Sequence, residues 1–183
     1  MSAGEDPAVT IALGRSPTPA ALTRFAEGAR RDGLRLVVGA LVHDGAGRIY
    51  LQRRTLSRAL FPGSWDLVGG HAEDGEGVRE ALAREVAEET GWRLNGLGPV
   101  VETIDWEEGG VRRREIDLLV TVDGDLSRPR LEADKHSDGR WVNASEARAL
   151  AIERARDVGE DGPDAWVFGV VQRAFEMLRA PEL

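Results

Sequence analysis

The chain of 183 residues carries 24 Lys and Arg against 32 Asp and Glu, a net charge of −8, with 42% hydrophobic residues and no cysteine. This balance belongs to one soluble globular domain with an ordinary core; it opposes binding to a nucleic-acid polymer or an anionic membrane, and it excludes disulfides, thiolate metal sites and a cysteine nucleophile. The longest apolar run, "LRLVVGALV", is too short to span a bilayer, and no basic start followed by an apolar stretch marks a secretory leader, so a cytoplasmic location is the default expectation.

Residues Met1 to about Ser16 are rich in Gly, Ala and Pro without a clear period, and read as an arm that is loose or lies on a neighbour. "SPTPAALTRFAEGARRDG" predicts a short helix opening near Pro19 and ending at Gly33. "LRLVVGALVH" and "RIYLQRR", joined by "DGAG", predict a hairpin. "SRALFPGS" follows as a loop, and "WDLVG" as a short strand that delivers the chain to Gly69-Gly70. A helix from about Gly77 to Thr90 is predicted from Val78, Leu82 and Val86, four apart, with Gly91 as its stop. "LGPVVETIDWEE", the turn "GG" and "VRRREIDLLVTVDG" predict a second long hairpin. "GRWVN" is one more strand, and "ASEARAL" a short helix for Asn143 to cap. A polar loop from about Glu153 to Pro163 leads to the final helix, "DAWVFGVVQRAFEMLR". Hairpins with a few helices indicate an α+β chain, a mixed sheet packed between helices.

The predicted helix after Gly69-Gly70 crowds carboxylates. Glu85, Glu88 and Glu89 stand at i, i+3 and i+4 and so share a face, where like charges repel by a few tenths of a kcal/mol per pair. A hard divalent cation reverses that sign, because Mg²⁺ takes oxygen ligands and keeps substrate phosphates as partners. The paired glycines allow a backbone carbonyl to approach as a further ligand. The stretch therefore reads either as a solvated acidic face or as a metal site for phosphates.

The longer pattern decides between them. Gly70, five residues, Glu76, seven residues, then Arg84, Glu85, Val86, Glu88, Glu89, Gly91 and Trp92 resembles the signature of the Nudix hydrolases, which cleave a nucleoside diphosphate linked to another group. Seven fixed residue types meet by chance in about one window in 10⁸ to 10⁹. The departure is Trp92, where the family has an aliphatic residue. The resemblance covers Gly70 to Trp92, and the element order from about Leu34 to Leu150 is similar to the family's fold, a mixed sheet sandwiched between helices. It implies an arm and short helix over 1–33 and a Nudix hydrolase domain over 34–183.

By that resemblance Glu85, Glu88, Glu89 and the Gly70 carbonyl hold Mg²⁺, with Mn²⁺ as a substitute, while Glu76 and the catalytic Arg84 brace the loop. The reaction implied is hydrolysis of a pyrophosphate bond by metal-activated water. Glu85 is the first choice of base, with Glu132 and Asp134 in "LEADKHSDGRW" as alternatives from outside the signature. Arg53 and Arg54 end a strand, and alternation lets at most one of them face a phosphate. His71 is a further substrate-binding candidate beside Gly70, or a loop histidine bonded to backbone. Arg112 to Arg114 read as the solvated rim of a hairpin, and Trp65, Trp106 and Trp141 as core or as stacking surfaces. The expected partner is a nucleoside triphosphate or small nucleoside diphosphate derivative, with a homodimer left open. Two other functions are weighed: a ligand-sensing module, which tends to lose the glutamates kept here, and an isomerase similar to isopentenyl-diphosphate isomerase, which relies on a cysteine that this chain lacks.

Overall fold

The computed structural model describes residues 11–179; the expected arm over 1–10 lies outside them. The first helix, α1 (Pro19–Arg31), starts where Thr18 Oγ1 accepts the Ala21 N–H at 3.2 Å and ends at Gly33, whose φ of +68° stops helical geometry. Its stripe of Leu22, Phe25, Ala26 and Ala29 is buried in the same core as β1 (Arg35–Val42) and α2 (Val78–Thr90). The boundary expected at residue 33 therefore does not separate two packing units. Ile11 is buried too, and Gly14 N–H and Arg15 C=O pair with the backbone of Val100, so this part of the arm lies on its own chain.

The strands form two sheets. One has four strands in the order β4 (Val68–His71), β1, β6 (Val111–Asp123), β5 (Arg93–Glu108); the other has three in the order β3 (Trp65–Asp66), β2 (Ile49–Arg54), β7 (His136–Val142). β1 runs antiparallel to β4 and parallel to β6. The predicted hairpin between β1 and β2 is thus corrected to a single bridge, His43 to Ile49. The Asp-Gly turn does form, with Asp44 Oδ1 accepting the N–H of Ala46 and of Arg48. The ladder does not, because "LVVGALV" is buried throughout and both its edges are taken by β4 and β6. "WDLVG" likewise divides at Leu67, where the chain passes from the smaller sheet to the larger one.

The second hairpin forms as expected, turning on Gly109 and Gly110 at φ +61° and +74°. It begins at Arg93 rather than Leu97, with register shifts that bend β5. α3 (Ala144–Val158) carries the Asn143–Glu146 capping box and runs past the expected loop start at Glu153. α4 (Ala165–Arg179) packs Val167, Val170, Val171 and Ala174 with Leu41, Leu51 and Leu119, while α1 and α2 cover the opposite face through Val38, Ala40, Leu82 and Val86. The fold is thus α+β, sheets between helices. Among the described residues no helix is long and apolar enough to cross a membrane.

Candidate active site

β4 hydrogen-bonds to β1 and holds Gly69, Gly70 and His71 beside α2. Gly91, at φ +71°, closes α2 with its N–H on the Ala87 carbonyl. Between these elements Glu85 and Glu89 point inward, 5% and 3% exposed, and line a cavity of about 620 Å³. Glu88 turns to solvent with 46% of its side chain exposed. The three glutamates therefore do not share one face equally: two are buried and the third stands at the rim. Among the described residues, no group of three or more His, Cys, Asp or Glu side chains is gathered as a metal site requires.

The buried pair nevertheless fits a hard cation. Glu89 Oε2 accepts the Gly69 N–H at 3.0 Å and an amide N–H of the fully buried Gln52, which also donates to the Leu67 carbonyl. Burial pushes the Glu89 carboxyl up to about 8 despite those two donors, with Glu85 and Asp66 adding repulsion. Glu85 is raised as well, first by burial, although Arg84 opposes the shift. Two carboxyls raised by desolvation are an oxygen donor set short of positive charge, which a divalent cation supplies. Gly70 is needed for the close approach: a Cβ there would lie 2.6 Å from Glu85 Oε1.

Arg84 is the brace of the site. Its Nε and Nη2 clamp the two oxygens of Glu76 at 2.9 Å each, and Nη2 also donates to the His71 carbonyl at 2.9 Å. Nη1 reaches Glu85 Oε1 at 2.9 Å and Glu88 Oε2 at 3.2 Å. One guanidinium thereby ties β4, the 72–77 loop and α2 together, and holds the Glu76 carboxyl below its usual range. All of these hydrogen bonds are made to the protein itself.

Of the two strand arginines, Arg54 lines the cavity, with Nη1 on Asp66 Oδ2 at 2.7 Å and Nε on the Leu60 carbonyl at 2.9 Å. Arg53 points the other way and donates to the Gly63 carbonyl at 3.0 Å. Its place among the substrate-binding candidates is corrected by the strand alternation itself. His71 lines the cavity, but its Nε2 accepts the Arg113 Nε–H at 3.0 Å. Burial and the nearby Arg35 and Arg113 push it down to about 4, so it is a neutral acceptor and no phosphate-binding cation.

Glu132 and Asp134 do not line the cavity. Glu132 pairs with Lys135 Nζ at 2.8 Å, and Asp134 offers its carbonyl to Thr55. The loop does return to the site as expected, but it brings Lys135 rather than a carboxylate. Arg58, Asp66 and Glu115 also line the cavity, and sequence reasoning assigned none of them to the site; the same holds for Lys135 and for Gln52 behind Glu89, while Trp65 and Trp106, read as core or as stacking surfaces, line the cavity too. Two signals stood there. Gln52 is a polar residue inside the apolar "IYLQ", and Glu115 and Asp117 alternate on one strand so that both face the same way. Arg113, read as solvated rim, is buried, with its guanidinium 4.5 Å from the Trp106 ring centroid. Trp141 packs with Tyr50 and Trp92 instead, as core.

The model of the NUDIX domain matches residues 33–161. An uncharacterized Nudix hydrolase of Pseudomonas aeruginosa is 35% identical over 119 residues, covering 64% of this chain and 66% of the relative. An RNA pyrophosphohydrolase of Dinoroseobacter shibae is 39% identical over 149 residues, covering 72% of this chain and 91% of the relative. Among solved structures, a MutT NUDIX hydrolase from Burkholderia pseudomallei superposes with a TM-score of 0.54 at 29% identity, over 61% of this chain and 84% of the other.

Proposed function

The chain belongs to the Nudix hydrolase family, and from that membership we propose that it hydrolyses a pyrophosphate bond of a nucleoside triphosphate or nucleoside diphosphate derivative, with Mg²⁺ as the preferred ion and Mn²⁺ as a substitute. The observation that carries this reading is the buried Glu85–Glu89 pair against Gly69 and Gly70, in a cavity whose wall also presents Arg54, Arg58 and Lys135. A wall that carries both carboxylates and cations suits a metal-bound polyphosphate, which is anionic and needs both.

In this reading Glu85, Glu89 and the Gly70 carbonyl hold the divalent ion, with Glu88 joining from the rim. A divalent ion held there would neutralise the pyrophosphate and lower the pKa of a water. Glu85 takes the proton from the attacking water; it lines the cavity, whereas Glu132 is held by Lys135 outside it. The new bond is oxygen to phosphorus, and the bond broken joins that phosphorus to the bridging oxygen, which leaves on a phosphate. Arg54, Arg58 and Lys135 bind the phosphate oxygens on either side of the cleaved bond.

A phosphate-release panel of nucleoside triphosphates and diphosphate derivatives with Mg²⁺ or Mn²⁺ tests this. Turnover is expected to vanish in excess EDTA, and Glu85→Gln is expected to lower kcat by orders of magnitude, since electrostatics carries phosphoryl transfer. Turnover surviving EDTA refutes the metal dependence; nucleotide binding without turnover favours a sensing module. A second reading follows from the relative named an RNA pyrophosphohydrolase: the substrate is the triphosphate end of an RNA. A short 5′-triphosphorylated RNA in the same panel decides, and the net charge of −8 favours the free nucleotide.

A further inference from the structure

The cavity floor is one face of the larger sheet. Backbone pairing sets His71, Val37, Glu115 and Ile104 in one row across it, and Gly69, Gly39, Asp117 and Glu102 in the next. The glutamate pair of α2 lies at the β4 end of these rows, and Trp106 stands on β5 at the other end, beside Glu115. Three strand spacings, about 14 Å, separate the two ends. That is the reach of a pyrophosphate, a sugar and a base laid across the sheet.

The β5 end is built for a flat ring with a polar edge. Trp106 lines the cavity with the Arg113 guanidinium 4.5 Å from its centroid, and Phe61 flanks it at 6.3 Å. Arg113 is itself held by His71 and by the carbonyls of Glu108 and Val111. Trp106 Nε1 donates to Glu115 Oε2 at 2.6 Å, which fixes the carboxylate beside the ring in the cavity wall. Asp117, fully buried and lying over Gly39, is pushed well above the usual carboxylate range by burial and then by Glu115. Burial raises Glu115 as well, but the Trp106 N–H and the Arg113 guanidinium favour its charged form, so of the two Asp117 holds its proton the more tightly.

We propose that Glu115 selects the nucleobase: the base stacks on Trp106, and the Glu115 carboxylate accepts hydrogen bonds from its N–H edge. An ionised carboxylate only accepts. Guanine presents two adjacent donors, N1–H and N2–H, whereas adenine and cytosine set a ring acceptor beside their amino group and uracil offers one N–H between two carbonyls. The substrate class that fits is a guanine nucleotide. This deepens the proposed function and rests on it for the position of the phosphates.

Calorimetric titration with GMP, IMP, dGMP and AMP tests the inference without needing turnover. The parent is expected to bind GMP at least about tenfold more tightly than AMP, the discrimination of a bidentate pair. IMP, lacking N2–H, falls between them, and dGMP matches GMP. In Glu115→Gln, whose amide sets a donor where guanine needs an acceptor, the preference for GMP over AMP is lost, and an unchanged melting temperature reports an intact fold. Equal binding of GMP and AMP to the parent, no measurable GMP binding, or an equal loss for both in the variant overturns the inference. A Glu115-dependent preference for GMP over dGMP overturns it too, because the carboxylate then reads the ribose. GMP selectivity without hydrolysis of GTP or of any guanosine diphosphate derivative in Mg²⁺ refutes the proposed function and leaves this inference standing.

Discussion

Replacing Glu89 by glutamine removes a charge from a site that burial makes costly. In the metal-free protein the Glu89 carboxyl is pushed from 4.5 up to about 8, chiefly by desolvation. The folded state thus binds this proton more tightly than the unfolded chain does. The associated stability is complete below pH 4.5, falls by about 1.4 kcal/mol per pH unit above it, and is lost once the pH passes about 8. The whole effect is at most about 5 kcal/mol, far above the few tenths expected from repulsion on an exposed helix. The neutral amide of Glu89→Gln avoids it and keeps an oxygen for the Gly69 N–H. With about 2–4 °C per kcal/mol for a domain of this size, the variant in EDTA at pH 8 is expected to melt above the parent by up to about 10–20 °C, with the gap closing toward pH 5. Adding Mg²⁺ at a hundredfold over its dissociation constant stabilises the parent by about 2.7 kcal/mol and the variant by clearly less. The measurement is thermal melting of both proteins from pH 5 to 8, with EDTA and with Mg²⁺ at fixed ionic strength. A variant that melts below the parent at pH 8 in EDTA, or a gap independent of pH, refutes the reasoning.

Gly70→Ala places a methyl where Glu85 Oε1 sits, at 2.6 Å; kcat is expected to fall at least tenfold while the melting temperature moves by a few degrees only, and an unchanged kcat shows that the carboxylate has no fixed place. Arg84→Gln cuts the brace to Glu76, Glu85, Glu88 and the His71 carbonyl. It is expected to cost about 2–3 kcal/mol and to weaken Mg²⁺ stabilisation in the same melting assay; unchanged Mg²⁺ stabilisation would remove its positioning role. Asp164→Ala strips the buried acceptor shared by the Trp65 N–H and Arg154 Nε, 3.2 and 2.8 Å away, and leaves that arginine with Asp157 at 3.9 Å. A loss of about 3–5 kcal/mol in denaturant unfolding follows, and a loss under about 1 kcal/mol contradicts it.

The amino-acid sequence by itself determined the elements whose signals are local. Thr18 and Asn143 cap their helices, Gly91 stops α2, and Gly109-Gly110 turns the long hairpin, because each acts on backbone within a few residues. The spacing from Gly70 to Trp92 marked the acidic helix and its brace for the same reason: one loop and one helix hold all of it. Pairing of distant strands was not legible. "LVVGALV" and "RIYLQRR" flank a good turn, yet they enter different sheets, since partnership depends on which edges β4 and β6 leave open. The division of the glutamates into a buried pair and an exposed Glu88 also waited for β4 and β2 to close over α2. So did the identity of the cavity wall. Arg54 rather than Arg53 and the Trp106–Glu115 contact across β5 and β6 follow from which face each strand turns inward, and Lys135 rather than Glu132 from the turn that leads into β7. A period of two says that neighbouring side chains oppose one another, but only packing against the second sheet and α4 decides which of them meets the cavity.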